Sequence, residues 1–174
     1  MKFVETALPG VLIVEPDVHR DPRGFFLETF HAGKYREGGI DAPLVQANHS
    51  RSTRGTLRGL HAQRKTPQGK LVRAVSGEVF DVAVDVRTGK HVGVALSADN
   101  FRQLWVPPGL LHGFCVVSET AEIEYYCTEL YDPSDEIGAR WDSAGIDWPV
   151  KEPLLSRKDA ALPALAELRR LLDG

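Results

Sequence analysis

Two histidine-centred segments carry the side chains best suited to chemistry. Leu57-Arg58-Gly59-Leu60-His61 puts a guanidinium three residues before an imidazole, and Pro107-Pro108-Gly109-Leu110-Leu111-His112 sets a second imidazole behind a turn. With His49 and His91 they are the histidines whose positions are informative among the six in the chain. An imidazole titrates near neutral pH, so it serves as a metal ligand or as an acid–base group. The metal option lacks ligands. Gly55 stands six positions before His61, as a Gly-x5-His-x-His metal pattern demands, but the second histidine position is Gln63 and the acid position falls on Pro67 or Gln68. Divalent metals in catalytic sites take three or more protein ligands, so no metal is expected. In an extended strand, residues three apart point to opposite faces. Arg58 and His61 therefore share a site only across a twist or bulge.

The elements that must position these groups read as β. Residues 10–14, 25–30, 70–75 and 78–86 are rich in branched and aromatic residues, and further strands are expected at 92–96, 103–106, 114–117 and 121–128. Val82, Val84 and Val86 alternate with Asp81, Ala83 and Asp85, the period of a half-buried strand, and Ser76-Gly77 between two such runs predicts a hairpin. Pro107-Pro108-Gly109 and Ser118-Glu119-Thr120 separate the last three segments. Many short strands without interleaved helical patterns indicate an all-β barrel or sandwich. After Asp159, Leu162, Leu165, Leu168 and Leu171 or Leu172 recur at helical spacing, predicting a short amphipathic C-terminal helix with Pro163 in its first turn. With no repeat, low-complexity tract or linker, residues 1–174 read as a single domain.

Composition removes several function classes. A chain of 174 residues, 43% hydrophobic and 26% charged, buries roughly 70% of its unfolded surface and needs no disulfide or structural metal. Cys115 and Cys127 lie in apolar segments and are expected as buried free thiols. No apolar run approaches the roughly 20 residues of a membrane helix. Net charge is -3, so no positive field favours nucleic acid, and an anionic ligand must be held by a local cluster of bases. Met1 to Thr6 lack a secretory pattern, making the cytoplasm the expected compartment. A dinucleotide fingerprint, a phosphate loop and a Gly-x-Ser-x-Gly elbow are all missing, which argues against nicotinamide redox, ATP-driven and serine-hydrolase chemistry.

The two histidine frames in a chain of short strands resemble a cupin-type β-barrel, or jelly roll, that has kept two anchor histidines and lost its metal. Arg54-Gly55-Thr56-Leu57-Arg58-Gly59-Leu60-His61-Ala62-Gln63 is similar to a signature of the dTDP-4-dehydrorhamnose 3,5-epimerase family, cupin-fold enzymes of deoxysugar nucleotide synthesis. Gln68-Gly69-Lys70-Leu71-Val72-Arg73, the run from Val75 to Asp85, and Arg102-Gln103-Leu104-Trp105-Val106-Pro107 resemble the same family. The likeness extends in order from Pro9-Gly10-Val11, through Asp21-Pro22-Arg23-Gly24-Phe25-Phe26, to Leu155-Ser156-Arg157-Lys158-Asp159.

That resemblance implies an isomerase acting on a dTDP-linked 4-keto-6-deoxy sugar, converting dTDP-4-dehydro-6-deoxy-D-glucose to dTDP-4-dehydro-L-rhamnose without a cofactor. The C–H bonds at C3 and C5 are acidic because the enolate delocalises onto the C4 oxygen. Inversion needs a base on one face of the ring and an acid on the other. By resemblance His61 is the base, Asp159 its partner, Tyr125 the acid and Lys70 the stabiliser of the oxyanion. Arg23, Glu28, Gln46, Asn48, Arg58, His112, Glu136 and Lys158 correspond to substrate-binding positions. The family forms homodimers with strand exchange, in which Arg23 and Glu28 reach the neighbouring site.

Each residue also has a structural role open to it. Asp159 and Ser156 are placed to cap the terminal helix, Tyr125 to line the barrel wall, and Lys70 and Arg58 to end strands in solvent. Three departures from the family pattern bear on which carbons are inverted. Ala62 replaces an aromatic residue, the stretch 87–92 is short, and Tyr126-Cys127 replaces a Lys-Thr type pair. A C3-only or C5-only epimerase of a related nucleotide-linked 4-keto sugar is the near alternative. A non-catalytic sugar-nucleotide-binding cupin and a metal-dependent cupin oxygenase or isomerase are the distant ones.

Overall fold

A computed structural model describes residues 1–173. Strands β1 (Lys2–Glu5), β2 (Leu12–Glu15), β3 (Val18–Asp21) and β4 (Gly24–Leu27) precede helix α1 (Ala32–Glu37). Nine more strands follow: β5 (Gln46–Thr53), β6 (Leu57–Gln63), β7 (Lys70–Ser76), β8 (Glu78–Val84), β9 (His91–Ser97), β10 (Gln103–Val106), β11 (Leu111–Val116), β12 (Thr120–Cys127) and β13 (Glu136–Gly138). The chain ends with α2 (Arg157–Ala160) and α3 (Leu165–Asp173). A six-stranded sheet in the order β1-β2-β10-β7-β12-β5 faces a five-stranded sheet in the order β13-β6-β11-β8-β9, and β3 and β4 form a separate hairpin. The strands pair antiparallel throughout, the arrangement of a cupin jelly roll.

Side-chain alternation divides the interior into an apolar end and a polar end. Along β7, Val72 and Ala74 join the core while Lys70 lines a cavity. Along β12, Ala121 and Ile123 are core, whereas Tyr125 and Cys127 line the cavity. On β11, Val116 is core and His112 lines the cavity. Leu104, Val106, Val79, Val94 and Leu96 complete the apolar half. Three central strands thus each contribute to both halves. Burial of the valines and leucines, at roughly 25 cal/mol per Å2 of apolar surface, anchors the polar groups that share their strands.

Two outer layers support this barrel. Leu165 and Leu168 of α3, with Trp148, cover Leu57, Leu60, Val82, Val84 and Cys115 on the five-stranded sheet. Tyr35 and Ile40 cover Val14, Leu71 and Trp105 on the other sheet.

Three expectations need correction. Lys70–Ser76 and Glu78–Val84 are both strands, but they do not form a hairpin. β7 pairs with β10 and β12, while β8 pairs with β9 and β11. Ser76-Gly77 is a corner between sheets, where Gly77 has φ of +69° and an added Cβ would lie 2.1 Å from the Thr120 carbonyl oxygen. Second, β8 is not half-buried. Asp81 and Ala83 are as inaccessible as Val82 and Val84, because the barrel interior covers one face and the α3 layer the other. Third, the C-terminal helix starts at Leu165, with Pro163 before it rather than in its first turn. The residue before a proline disfavours helical backbone, so the chain breaks between α2 and α3.

The Arg58–His61 spacing is resolved by a bulge. His61 pairs with His112 and Arg58 with Phe114, so Gly59 and Leu60 together oppose the single residue Gly113. The additional residue restores both side chains to one face. Gly59 has φ of +121°, and a Cβ there would lie 2.6 Å from the Gly113 Cα. Gly59→Ala is expected to cost about 3 kcal/mol or more, a fall in Tm of roughly 6–12 °C for a domain of this size, measurable by calorimetry.

Candidate active site

The polar half of the barrel holds a cavity of about 450 Å3. Gln46, Asn48, Arg58, His61, Lys70, His112, Tyr125, Glu136, Lys158 and Asp159 all line it. These residues come from β5, β6, β7, β11, β12, β13 and α2, so sequence separation gives no hint of their convergence. Arg23 and Glu28 do not line it. Arg23, in the turn of the β3–β4 hairpin, is exposed and pairs with Asp21, and Glu28 pairs with Lys34 at 2.8 Å.

His61 is held by a carboxylate that is nearly out of solvent. Asp159 Oδ1 lies 2.6 Å from His61 Nε2, and the Asp159 side chain is 6% exposed. An ionised carboxylate only accepts hydrogen bonds, so Nε2 carries the hydrogen and Nδ1 keeps the free lone pair. Ser156 caps α2, its hydroxyl accepting from the Asp159 amide at 3.0 Å. The capping role therefore belongs to Ser156, while the Asp159 side chain turns to the imidazole. Burial opposes ionisation of Asp159, but the hydrogen bonds and charge of His61, with Ser156 and Lys158, hold its carboxyl below the usual value of 3.8. A depressed carboxylate stabilises the fold fully above its unfolded value and loses that contribution as pH falls through the folded one. Asp159→Asn is accordingly expected to flatten the decline of Tm below about pH 4, readable by thermal melts across pH.

The other lining groups are set differently. Burial pushes the Tyr125 phenol up, Cys127 adds to that, and Arg58 pulls the other way. The phenol therefore keeps its proton at neutral pH. Burial pushes the Lys70 ammonium down, against the attraction of Cys127, Glu136 and Asp81. His112 Nε2 lies 2.9 Å from Asp81 Oδ1, and Asp81 is wholly inaccessible, its Oδ2 unpartnered among the described residues. Arg58 Nε and Nη2 both donate to Ser52 Oγ at 3.1 Å.

Several lining residues escaped the sequence reading. Ser50 continues the alternation of Gln46 and Asn48 along β5, and its hydroxyl is buried without a partner among the described residues. Tyr131, half exposed at the rim, donates to Glu136 Oε2 at 2.8 Å. Cys127, expected as wall packing, also faces the cavity and is the cross-strand partner of Lys70. Asp81 was legible only as part of an alternating strand. Reading β5 as a strand would have exposed Ser50 by its two-residue period.

The residues present do not fit a cupin metal centre. Gln63 Nε2 donates to the Thr66 carbonyl at 2.8 Å and its Oε1 accepts from the Asp132 amide at 2.8 Å, so its side chain fastens two loops. Among the described residues, no group of three or more His, Cys, Asp or Glu side chains could hold a metal ion. None of the described helices is long and apolar enough to cross a membrane.

A braced imidazole and a phenol that keeps its proton, set around one cavity, define an acid–base isomerase site within a cupin-type barrel. A family model described as dTDP-4-dehydrorhamnose 3,5-epimerase matches residues 5–167. A Shigella flexneri protein of that name is 52% identical over 168 residues, covering 91% of this chain and 93% of its own. One from Methanothermobacter thermautotrophicus is 46% identical, covering 95% of each. The chain spans 52% of the length of a Neisseria gonorrhoeae relative to which it is 51% identical. The crystal structure of a Legionella pneumophila epimerase in complex with dTDP-4-keto-L-rhamnose superposes with a TM-score of 0.91 at 46% identity, covering 96% of both chains. The chain belongs to the dTDP-4-dehydrorhamnose 3,5-epimerase family.

Proposed function

We propose that the protein inverts C3 and C5 of a dTDP-linked 4-keto-6-deoxyhexose, taking dTDP-4-dehydro-6-deoxy-D-glucose to dTDP-4-dehydro-L-rhamnose without metal or cofactor. The observation that carries this reading is the gathering of His61–Asp159, Tyr125 and Lys70 around one cavity. His61 Nδ1 takes the proton from the carbon beside the ketone. The C–H electron pair becomes the enolate, whose charge rests on the C4 oxygen against Lys70. Tyr125 returns a proton to the opposite face of the carbon, and the phenolate and imidazolium reset through solvent before the second inversion. The same steps at each carbon exchange its hydrogen with solvent.

Gln46, Asn48, Arg58, His112, Glu136 and Lys158 are the substrate-holding groups in this reading. A guanidinium fork suits a diphosphate, and Lys158 adds a point charge at the rim. We further propose that residues 1–174 act as one cytoplasmic domain and pair as a homodimer by strand exchange. The exposed Phe25 and Phe26 on the β3–β4 hairpin support this, since a monomer leaves them in water beside Arg23.

Incubation with dTDP-4-keto-6-deoxyglucose in deuterated water tests the assignment. Deuterium at both C3 and C5 is expected. Label at one carbon would make the protein a mono-epimerase, and none in folded, ligand-binding protein would make it a sugar-nucleotide-binding barrel. Loss of turnover with a chelator would restore the metal alternative.

A further inference from the structure

Glu136 is the diagonal neighbour of His61 on the β6–β13 pair, since Glu136 opposes Gln63 and Gly138 opposes His61. One of its oxygens faces two basic side chains. Glu136 Oε1 lies 2.5 Å from Lys158 Nζ and 3.9 Å from His61 Nε2. The other oxygen, Oε2, accepts the Tyr131 hydroxyl. Exposure separates the partners: the Glu136 side chain is 11% exposed and that of Lys158 56%. The carboxylate is fixed by its strand and by Tyr131, while the lysine stands at the rim on a flexible stem and is free to turn to another anion.

We propose that Glu136 is a switched counter-charge for His61: Lys158 neutralises it in the empty cavity, and a bound nucleoside diphosphate draws Lys158 away, leaving Oε1 to stabilise the imidazolium. The inference rests on the reading of the cavity as a nucleoside-diphosphate-sugar site. Taking the substrate proton leaves His61 charged, so a counter-charge unmasked by binding favours the transition state over the free enzyme. Glu136 touches no reacting atom in this scheme and is a positioning residue.

The other groups facing His61 do not switch in this way. Asp159 on α2 stays locked to Nε2. Arg58 lies on the same strand, His112 with Asp81 behind it comes from β11 and β8, Lys70 from β7, Tyr125 from β12, and Tyr131 from the segment before β13. Among these charged and titratable neighbours, Lys158 alone is a rim cation held by a carboxylate that also lies within 4 Å of His61.

The test follows the His61 imidazole by NMR through a pH titration of the whole protein, free and saturated with dTDP. In the native protein, dTDP is expected to raise the midpoint by about one pH unit, tenfold in proton affinity. In Glu136→Gln the rise shrinks to less than half. In Lys158→Met the free protein already titrates close to the native dTDP complex. The pH–rate profile offers a parallel readout, because kcat reports the complex and kcat/KM the free enzyme. Their acid limbs are separated in the native enzyme and converge in Glu136→Gln. An equal rise in native protein and Glu136→Gln, or a free Lys158→Met that titrates like the free native protein, overturns the inference and leaves the functional reading standing. Failure of dTDP to bind the native protein overturns both.

Discussion

His61→Asn is expected to lower hydrogen exchange at C3 and C5 by about a thousandfold, within the range a positioned acid–base group contributes, while dTDP binding persists. The asparagine amide matches the imidazole only out to the Nδ1 position and stops short of Asp159, so the buried carboxylate loses the donor at Nε2. The variant has no lone pair able to take a proton at neutral pH. Binding of dTDP persists because Gln46, Asn48, Arg58 and Lys158 line the cavity independently of the imidazole. Isothermal titration with dTDP and deuterium incorporation measured on the same sample separate the two outcomes. Exchange within tenfold of the native rate would remove His61 as the base.

Lys70→Met is expected to lower kcat by roughly 100- to 1,000-fold, the effect of deleting one preorganised oxyanion-stabilising group, and to raise stability. The second effect follows from the direction of the Lys70 shift. Burial disfavours its charged form, so the folded value lies below the ordinary 10.5. The penalty is complete below the folded value and fades as pH rises toward the unfolded one, where both states lose the proton. Methionine fills a similar volume without the charge. At neutral pH the variant should melt roughly 2–4 °C higher, what about 1 kcal/mol produces in a chain of this size. That gain should vanish toward pH 10.5. A residue that costs stability while supporting turnover is held for its chemistry, and a Tm below the native value would contradict this account of Lys70.

The strands that show in the sequence are those with apolar alternation or branched residues. The segment 103–106 coincides with β10, and 121–128 lies within one residue of β12. β5 does not show, because Gln-Ala-Asn-His-Ser-Arg-Ser-Thr has no hydrophobic period. One of its faces carries Gln46, Asn48 and Ser50 into a polar cavity, and the alternate residues His49 and Arg51 are exposed. Strand pairing is equally hidden. Ser76-Gly77 has the composition of a hairpin, yet Gly77 turns the chain past Thr120 into the other sheet, because Val72 and Val79 both bury their side chains only between the sheets.

By itself, the sequence determined the chemistry available to this protein: an all-β chain, an imidazole and a phenol without a metal set, bases for an anion, and the motifs of its family. These are properties of residue types and their order, and short-range spacing carries them. Tertiary structure alone decided that Arg58 and His61 share a face, because the deciding bulge depends on the unequal register of β6 against β11 around Gly59 and Gly113. It also decided that Asp159 serves the imidazole while Ser156 caps the helix, and that Glu136 is shared between Lys158 and His61. Such assignments turn on ångström distances between segments up to 98 residues apart, which burial of the apolar half of the barrel fixes and local propensity does not encode.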